Sequence, residues 1–281
     1  MTSSAAGQWA SWLTHERDAH TDTEGKARTL SVLEEIRDRV LDGARIGPGD
    51  RVVDLGAGTG LLATAAADRV GGAGSVYAVD FSAQALSRIP APVAPLTATL
   101  IQLPLRDQIA DAVVARSVLI YIPDLETAIA EAARILRPGG RLSLFEPVNS
   151  QRTRDAELDD FTEDQLADLA HAQADASQTV RTMHAFTPER LRHALERSDL
   201  AVEDMTLEPH LQRLQGEEAA SAYLDQRGHA GAATVLEGVT ALWGAPAAAR
   251  YRNAWVRAAR LQGTITFTTP VLFCTARSQR P

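Results

Sequence analysis

A chain of 281 residues, 45% hydrophobic and 23% charged, has the apolar material for one large core and is not composed like a disordered protein. Its 36 acidic against 28 basic side chains leave a formal charge of −8, which disfavours broad binding to nucleic acid or an anionic membrane and makes a small molecule the default partner. Cys274 is the single cysteine, so no intramolecular disulfide framework is available. With no secretory signal pattern and no apolar run long enough to span a bilayer, a cytoplasmic protein is the expectation.

In chain order, residues 25–43 set Leu30, Leu33, Ile36, Val40 and Leu41 at three- and four-residue spacing, which predicts a helix with one apolar face. After a Gly-Pro-Gly-Asp turn at 47–50, β-rich runs fall at 51–55, 75–80, 98–103, 110–117 and 140–148. They alternate with helix-prone stretches at 61–70, 82–89 and 125–136, and the Arg-Pro-Gly-Gly turn at 137–140 leads into the last of these strands. Alternation of this kind predicts an α/β, doubly wound, mostly parallel Rossmann-like sheet.

The alternation breaks twice beyond Val148. Residues 150–185 are polar and helix-prone, with an acidic stretch from Asp155 to Asp168 that reads as a solvated helix face or as an attractor for a cationic ligand. The core pattern resumes over 186–213, where Thr187 is placed to cap a helix with Pro188 in its first position, followed by a strand at 201–208. Residues 214–262 are alanine-rich and helical, and their Tyr223, Trp243, Tyr251 and Trp255 read first as core packing and second as a ligand or subunit contact. A final strand covers 264–278, includes Cys274, and carries Pro270 as a bulge or edge marker.

The segment RVVDLGAGTGLL, 51–62, carries the densest signal. Gly56, Gly58 and Gly60 follow an apolar strand and precede a helix, so the backbone around Ala57 can turn tightly and approach a ligand at the strand's carboxyl end. The spacing is GxGxG, and the strict dinucleotide pattern GxGxxG is absent because position 61 is Leu. Asp54 points toward the same cleft, either to orient the turn or to receive a cationic amine. Asp80 ends the next strand, where a carboxylate can accept from both hydroxyls of a ribose, and Phe81 beside it offers a ring to an adenine.

These motifs, with the run from Leu103 through Val148 in the same order, resemble the class I S-adenosylmethionine-dependent methyltransferases that act on small molecules. The resemblance covers about residues 48–148 and extends weakly over 186–200. It implies a seven-stranded sheet with helical lid insertions and S-adenosylmethionine as cofactor, with S-adenosylhomocysteine as product. The glycine turn would contact the methionine portion, Asp80 the ribose, and the segment Leu100 to Leu103 the adenine. Arg116 and Ser117 would offer backbone groups to the methionine amino end. Relatives often carry an acid where this chain has Thr99, which leaves adenine recognition to backbone or to Gln102.

The organisation expected is an N-terminal helical segment (1–46) closing the cofactor site, a cofactor-binding core (47–149), a lid insertion (150–185), more core (186–213), a helical insertion (214–262) and a C-terminal strand region (263–281). Arg28 on the N-terminal helix is either a carboxylate fork or a surface residue. Methyl transfer depends first on approach geometry, and a base is needed only for some acceptors. Tyr121 and His184 are the catalytic candidates; Glu146 and Asn149 lie at another ligand-bearing strand end, or serve capping and hydration. His15 and His20 join no metal-ligand pattern, so no metal is expected. The acceptor would be a small molecule methylated on O, N or C, and the assembly a monomer or homodimer. Two other classes keep the fold: an enzyme using the sulfonium only electrostatically, for cyclisation or elimination, and a non-enzymatic cofactor-sensing or partner-binding module.

Overall fold

The computed structural model describes residues 7, 11, 12 and 23–280, with side chains from residue 30 onward and at positions 7, 11 and 12. The expectations for His15, His20 and the Arg28 side chain lie outside the described residues.

Among the described residues eight strands form one sheet. These are β1 (Arg51–Leu55), β2 (Ser75–Asp80), β3 (Ala94–Thr97), β4 (Ala110–Arg116), β5 (Leu136–Pro147), β6 (Thr153–Arg154), β7 (Leu200–Gln215) and β8 (Thr264–Ser278). Their order is β3-β2-β1-β4-β5-β8-β6, with β7 also paired to β8. The first five are mutually parallel, and β8 runs antiparallel to β5, β6 and β7. The two-residue β6 accounts for the one strand beyond the expected seven.

Alternate residues of the central strands feed two cores, the period-2 behaviour of a sheet buried on both faces. Val53, Leu55, Val113 and Ala115 join the cluster containing α4 (Leu125–Ile135) and α7 (Pro188–Glu196). Val52, Ala112 and Val114 join the opposite cluster, with α1 (Thr23–Gly43) and α2 (Leu61–Val70). The apolar face expected on α1 is buried only toward its C-terminus: Val40 and Leu41 are inside, whereas Leu30 is exposed. Thr187 caps α7 by accepting from the Arg190 N–H at 3.1 Å, with Pro188 in the first turn as expected. Cys274 is buried in β8, and burial pushes its thiol up to about 12.

Several expectations need correction. The third strand is Ala94–Thr97 and not 98–103, which forms a turn closed by an isolated Thr99–Gln102 bridge. β3 contains Pro95 and lies at the sheet edge, where a missing N–H is tolerated. The helix expected over 82–89 is only the single turn α3 (Ala83–Leu86). The strand expected over 201–208 runs on to Gln215 because β8 supplies a partner along nearly its whole length.

Pro270 is not at a bulge; the register shift lies at Val202/Asp204, and Pro270 pairs in register with Pro209. The Pro270 carbonyl accepts from the Val148 N–H at 2.8 Å, so its polar face turns toward β5. Pro209 opposite it must then face the free edge of β7. That edge lacks a donor at its centre, which discourages pairing with another chain.

β8 pairs with β5 only from Val271 onward, so residues 264–270 project beyond the carboxyl ends of the parallel strands. A third core gathers on this projection. It joins Leu158, Phe161 and, on α5 (Glu163–Ala176), Leu169 of the first insertion to residues of α8 (Gly216–Tyr223), α9 (Val235–Trp243) and α10 (Ala245–Gln262). The two insertions read separately from the sequence therefore pack as one body. Its acidic stretch is solvated: Asp155, Glu157, Asp159, Asp160, Glu163, Asp164 and Asp168 are all exposed.

Candidate functional site

The carboxyl ends of β1, β2, β4 and β5 bring together the residues singled out above. Gly56, Gly58 and Gly60 have φ of 68°, 54° and 94°, a left-handed alternation that L side chains rarely adopt. Gly56 and Gly60 are also fixed by packing, since a Cβ on Gly56 would meet Val118 at 2.2 Å and one on Gly60 would meet Ile89 at 2.9 Å. The loop's own N–H groups are largely satisfied internally, with Gly56 and Ala57 donating to the Val79 carbonyl at 2.8 and 3.0 Å.

Asp80 ties two loops together. One oxygen accepts from Gly58 N–H at 2.9 Å and the other from Ser82 N–H at 2.8 Å, and the Phe81 N–H also bonds to the carboxylate. A carboxylate offers about four lone-pair sites, so this geometry leaves room for about one further donor. Burial raises the Asp80 pKa and these backbone bonds oppose it.

Asp54 is fully enclosed and accepts from the Ala63 N–H at 2.9 Å, in the first turn of α2. Gly60 provides no side-chain cap there, so the strand carboxyl serves instead, and the role realised is orientation of the turn. Burial pushes Asp54 up to about 8, with Arg116 opposing.

Glu146, at the end of β5, accepts from the Val118 and Leu119 N–H groups at 2.9 and 2.8 Å and anchors the 3-10 turn Leu119–Tyr121. Burial pushes it up to about 7. Ser117 precedes this turn with φ 50°, a strained conformation of the kind that clusters at functional sites, and donates its N–H to the Phe145 carbonyl at 2.8 Å.

Tyr121 lies in the 3-10 turn, partly buried, with its pKa raised by burial and then by Glu146, so it is a hydrogen-bond donor rather than a base near neutral pH. His184 lies in the last turn of α6 (Gln178–Ala185), exposed, on a helix that packs against the Tyr121 turn. Burial of part of its ring lowers its pKa. Gln102 is exposed, and Leu103 is buried. Asn149 opens a second 3-10 turn, Asn149–Gln151, and its Nδ2 is buried without a partner among the described residues.

The sequence reading missed Glu131 and Arg134 of α4. Glu131 accepts the Leu103 N–H at 2.8 Å, and Arg134 forks onto Glu131 while donating to the Leu103 and Leu105 carbonyls and to Asp107. The only sequence signal was a Glu–Arg pair at i, i+3, which more often stabilises a helix surface. Glu131→Ala is expected to weaken S-adenosylhomocysteine binding roughly 5-fold and to cost about 1 kcal/mol of stability by orphaning the Leu103 N–H. Calorimetric titration and denaturant unfolding read the two effects separately.

Residues 53–144 match the family model described as a methyltransferase domain. Over that stretch, about a third of the chain, the sequence is similar to methyltransferase domains.

It is 37% identical over 140 residues to a demethylmenaquinone methyltransferase of Mycobacterium marinum, covering 46% of this chain and 59% of that one. Among solved structures it is similar in fold to the YcgJ protein of Bacillus subtilis (TM-score 0.56, 15% identity, 88% of this chain and 99% of that one). It is similar also to the [4+2]-cyclase SpnF (TM-score 0.52, 18% identity, 88% and 82%). The match spans 29 to 59% of the length of the first curated relatives. Among the described residues no helix is long and apolar enough to cross a membrane, and no group of three or more metal-ligating side chains is present.

In this methyltransferase fold the two buried acids make stability depend on pH. Their folded-state pKa values lie above the ordinary 3.8 and 4.5, so the folded chain holds protons that the unfolded chain has released. The contribution is full below about pH 4 and is lost as pH rises through about 7 to 8. Glu126, held down to about 2 by Arg190, acts oppositely and only in the acid range. The melting temperature is expected to fall by about 3–6 °C between pH 5.5 and 8.5, an effect on the order of 1–2 kcal/mol. Glu146→Gln, which keeps the acceptor for Val118 and Leu119, should flatten that fall; an unchanged slope would remove Glu146 as its source.

Proposed function

We propose that this protein transfers a methyl group from S-adenosylmethionine to an O, N or C atom of a small molecule. The observation that carries the reading is the Asp80 carboxylate, bonded to Gly58 N–H and Ser82 N–H and left with about one acceptor site at the open end of β2. One ribose hydroxyl fits that site.

The residues suit the rest of the cofactor. Phe81 and the exposed Ile101 supply apolar surface for adenine, and the backbone from Leu100 to Leu103, staked to α4 by Glu131, supplies polar groups for its edge. Arg116 and Ser117 present backbone at the methionine end. When bound, S-adenosylmethionine supplies an electrophilic methyl on a positive sulfonium. The chain's part is then to fix the cofactor rigidly and align the acceptor, which is worth more than a single base. Tyr121 donates a hydrogen bond toward the acceptor, and His184 on the neighbouring helix takes a proton where the acceptor must lose one.

The quinone chemistry named for the M. marinum relative gives one class of acceptor to try first. Incubation with S-adenosylmethionine and an acceptor panel tests the reading through S-adenosylhomocysteine formation in step with product. Product formed without it would replace methyl transfer by the electrostatic use of the sulfonium. Cofactor binding with no turnover on any acceptor would favour a sensing module.

A further inference from the structure

The body formed by the two insertions contains a cluster of hydrogen-bond donors set in aromatic surroundings. β6 pairs with Thr268 and Phe267, on the part of β8 that projects past the end of β5, so it lies beyond the carboxyl ends of the parallel strands, the end that also carries the glycine turn. The Arg152 guanidinium sits over the Phe267 ring at 4.1 Å, and that of Arg154 over the Trp255 ring at 5.5 Å.

Neither guanidinium has a carboxylate within ion-pair distance among the described residues; Arg152 donates only to the neutral Gln212, at 2.8 Å. Arg250, over the Phe161 ring, also has no carboxylate within ion-pair distance among the described residues, whereas four other arginines of this body differ. Arg227, Arg252, Arg257 and Arg260 are each paired, with Glu237, Asp225, Asp160 and Glu217. The nearby Asp155 carboxylate is turned to the Thr266 N–H.

Two further donors are buried without a hydrogen-bond partner among the described residues, the Trp255 indole Nε1 and the Asn149 Nδ2. Trp255 is 1% exposed, and a donor left unmet at that depth is costly. The Tyr251 hydroxyl lies beside both Trp255 and Arg154 and is the oxygen acceptor that the protein itself offers them. The cluster is thus rich in donors, short of acceptors, flat-walled, and cationic in a chain of net charge −8. A guanidinium fork and an indole N–H match the planar oxygens of a carboxylate, and ring faces match an apolar, planar body.

We infer that Arg152 and Arg154, with the Trp255 indole N–H, recognise a carboxylate carried by a planar apolar acceptor. The inference rests on the proposed methyl transfer and names the acceptor class for it. The α6 helix packs against both the Tyr121 turn and the Asn149 turn, which links this cluster to the expected position of the reacting atom.

The test titrates the full chain, with and without saturating S-adenosylhomocysteine, with 2-naphthoate and with its neutral isostere 2-naphthamide. The carboxylate is expected to bind at least 10-fold more tightly than the amide. Arg154→Met and Arg152→Met should each reduce that discrimination several-fold while S-adenosylhomocysteine affinity stays within 2-fold, and Arg154→Lys should retain part of it. Equal binding of the two probes, no binding of naphthoate, or discrimination that survives in the double Met variant would overturn the inference. Discrimination without any S-adenosylhomocysteine binding would support the carboxylate site and sink the cofactor reading alone.

Discussion

Replacing Gly56 with alanine is expected to destabilise the protein by more than about 4 kcal/mol, enough to leave a large share of the chain unfolded. Two costs add. The backbone at Gly56 sits at φ 68°, where an L side chain pays about 1 kcal/mol, and the new Cβ would stand 2.2 Å from Val118 Cγ2 and 2.6 Å from Val118 Cβ. Val118 cannot easily retreat, because its N–H is held by Glu146 and it follows the strained Ser117. Urea unfolding of the variant measures the loss. Adding Val118→Ala should recover the steric part and leave the backbone part. A single variant of near-normal stability would mean that the turn is built differently.

Asp80→Ala is expected to weaken S-adenosylhomocysteine binding by roughly 1 to 3 kcal/mol, about 5- to 150-fold. It removes the ribose acceptor and frees the Gly58, Phe81 and Ser82 N–H groups that hold the two loops together. Asparagine should rescue little. Whichever way its amide is turned, its NH2 faces one of the two backbone N–H groups now bonded to separate carboxylate oxygens. Calorimetric titration below the variant's melting range reads the affinity directly, and an unchanged value would remove Asp80 from the ribose.

The fold was legible where local chemistry and tertiary demand agree. Val52, Val53 and Leu55 read as a buried strand because a parallel strand covered on both faces needs nothing but apolar side chains there, and Gly56 to Gly60 read as a turn because their φ values require glycine. The third strand was misplaced by four residues: Ala94–Thr97 carries Pro95, and whether its missing N–H matters is decided by sheet position, invisible locally. Likewise β7 looked short because its outer half, Pro209 to Gln215, is polar and is held as a strand by β8 alone.

For the site, Asp54 and Asp80 could be placed at strand ends from spacing, and Ser117 through the family resemblance. Two things could not. Glu131 and Arg134 act on Leu103 across 28 and 31 residues of chain, a relation with no local pattern. The union of the two insertions depends on Phe161 stacking on Trp243 at 5.6 Å, a contact between residues 82 positions apart. Asp54 illustrates the intermediate case: its direction was legible, but which of two roles it fills depends on the Ala63 N–H that α2 brings to it.

The most direct measurement of the central claim is calorimetric titration of the wild-type chain with S-adenosylhomocysteine and, separately, with NAD. One S-adenosylhomocysteine bound per chain, with no heat from NAD, is the predicted result. Saturable NAD binding, or no binding of S-adenosylhomocysteine at any accessible concentration, would contradict the assignment of the glycine turn and Asp80 to an adenosylmethionine cofactor.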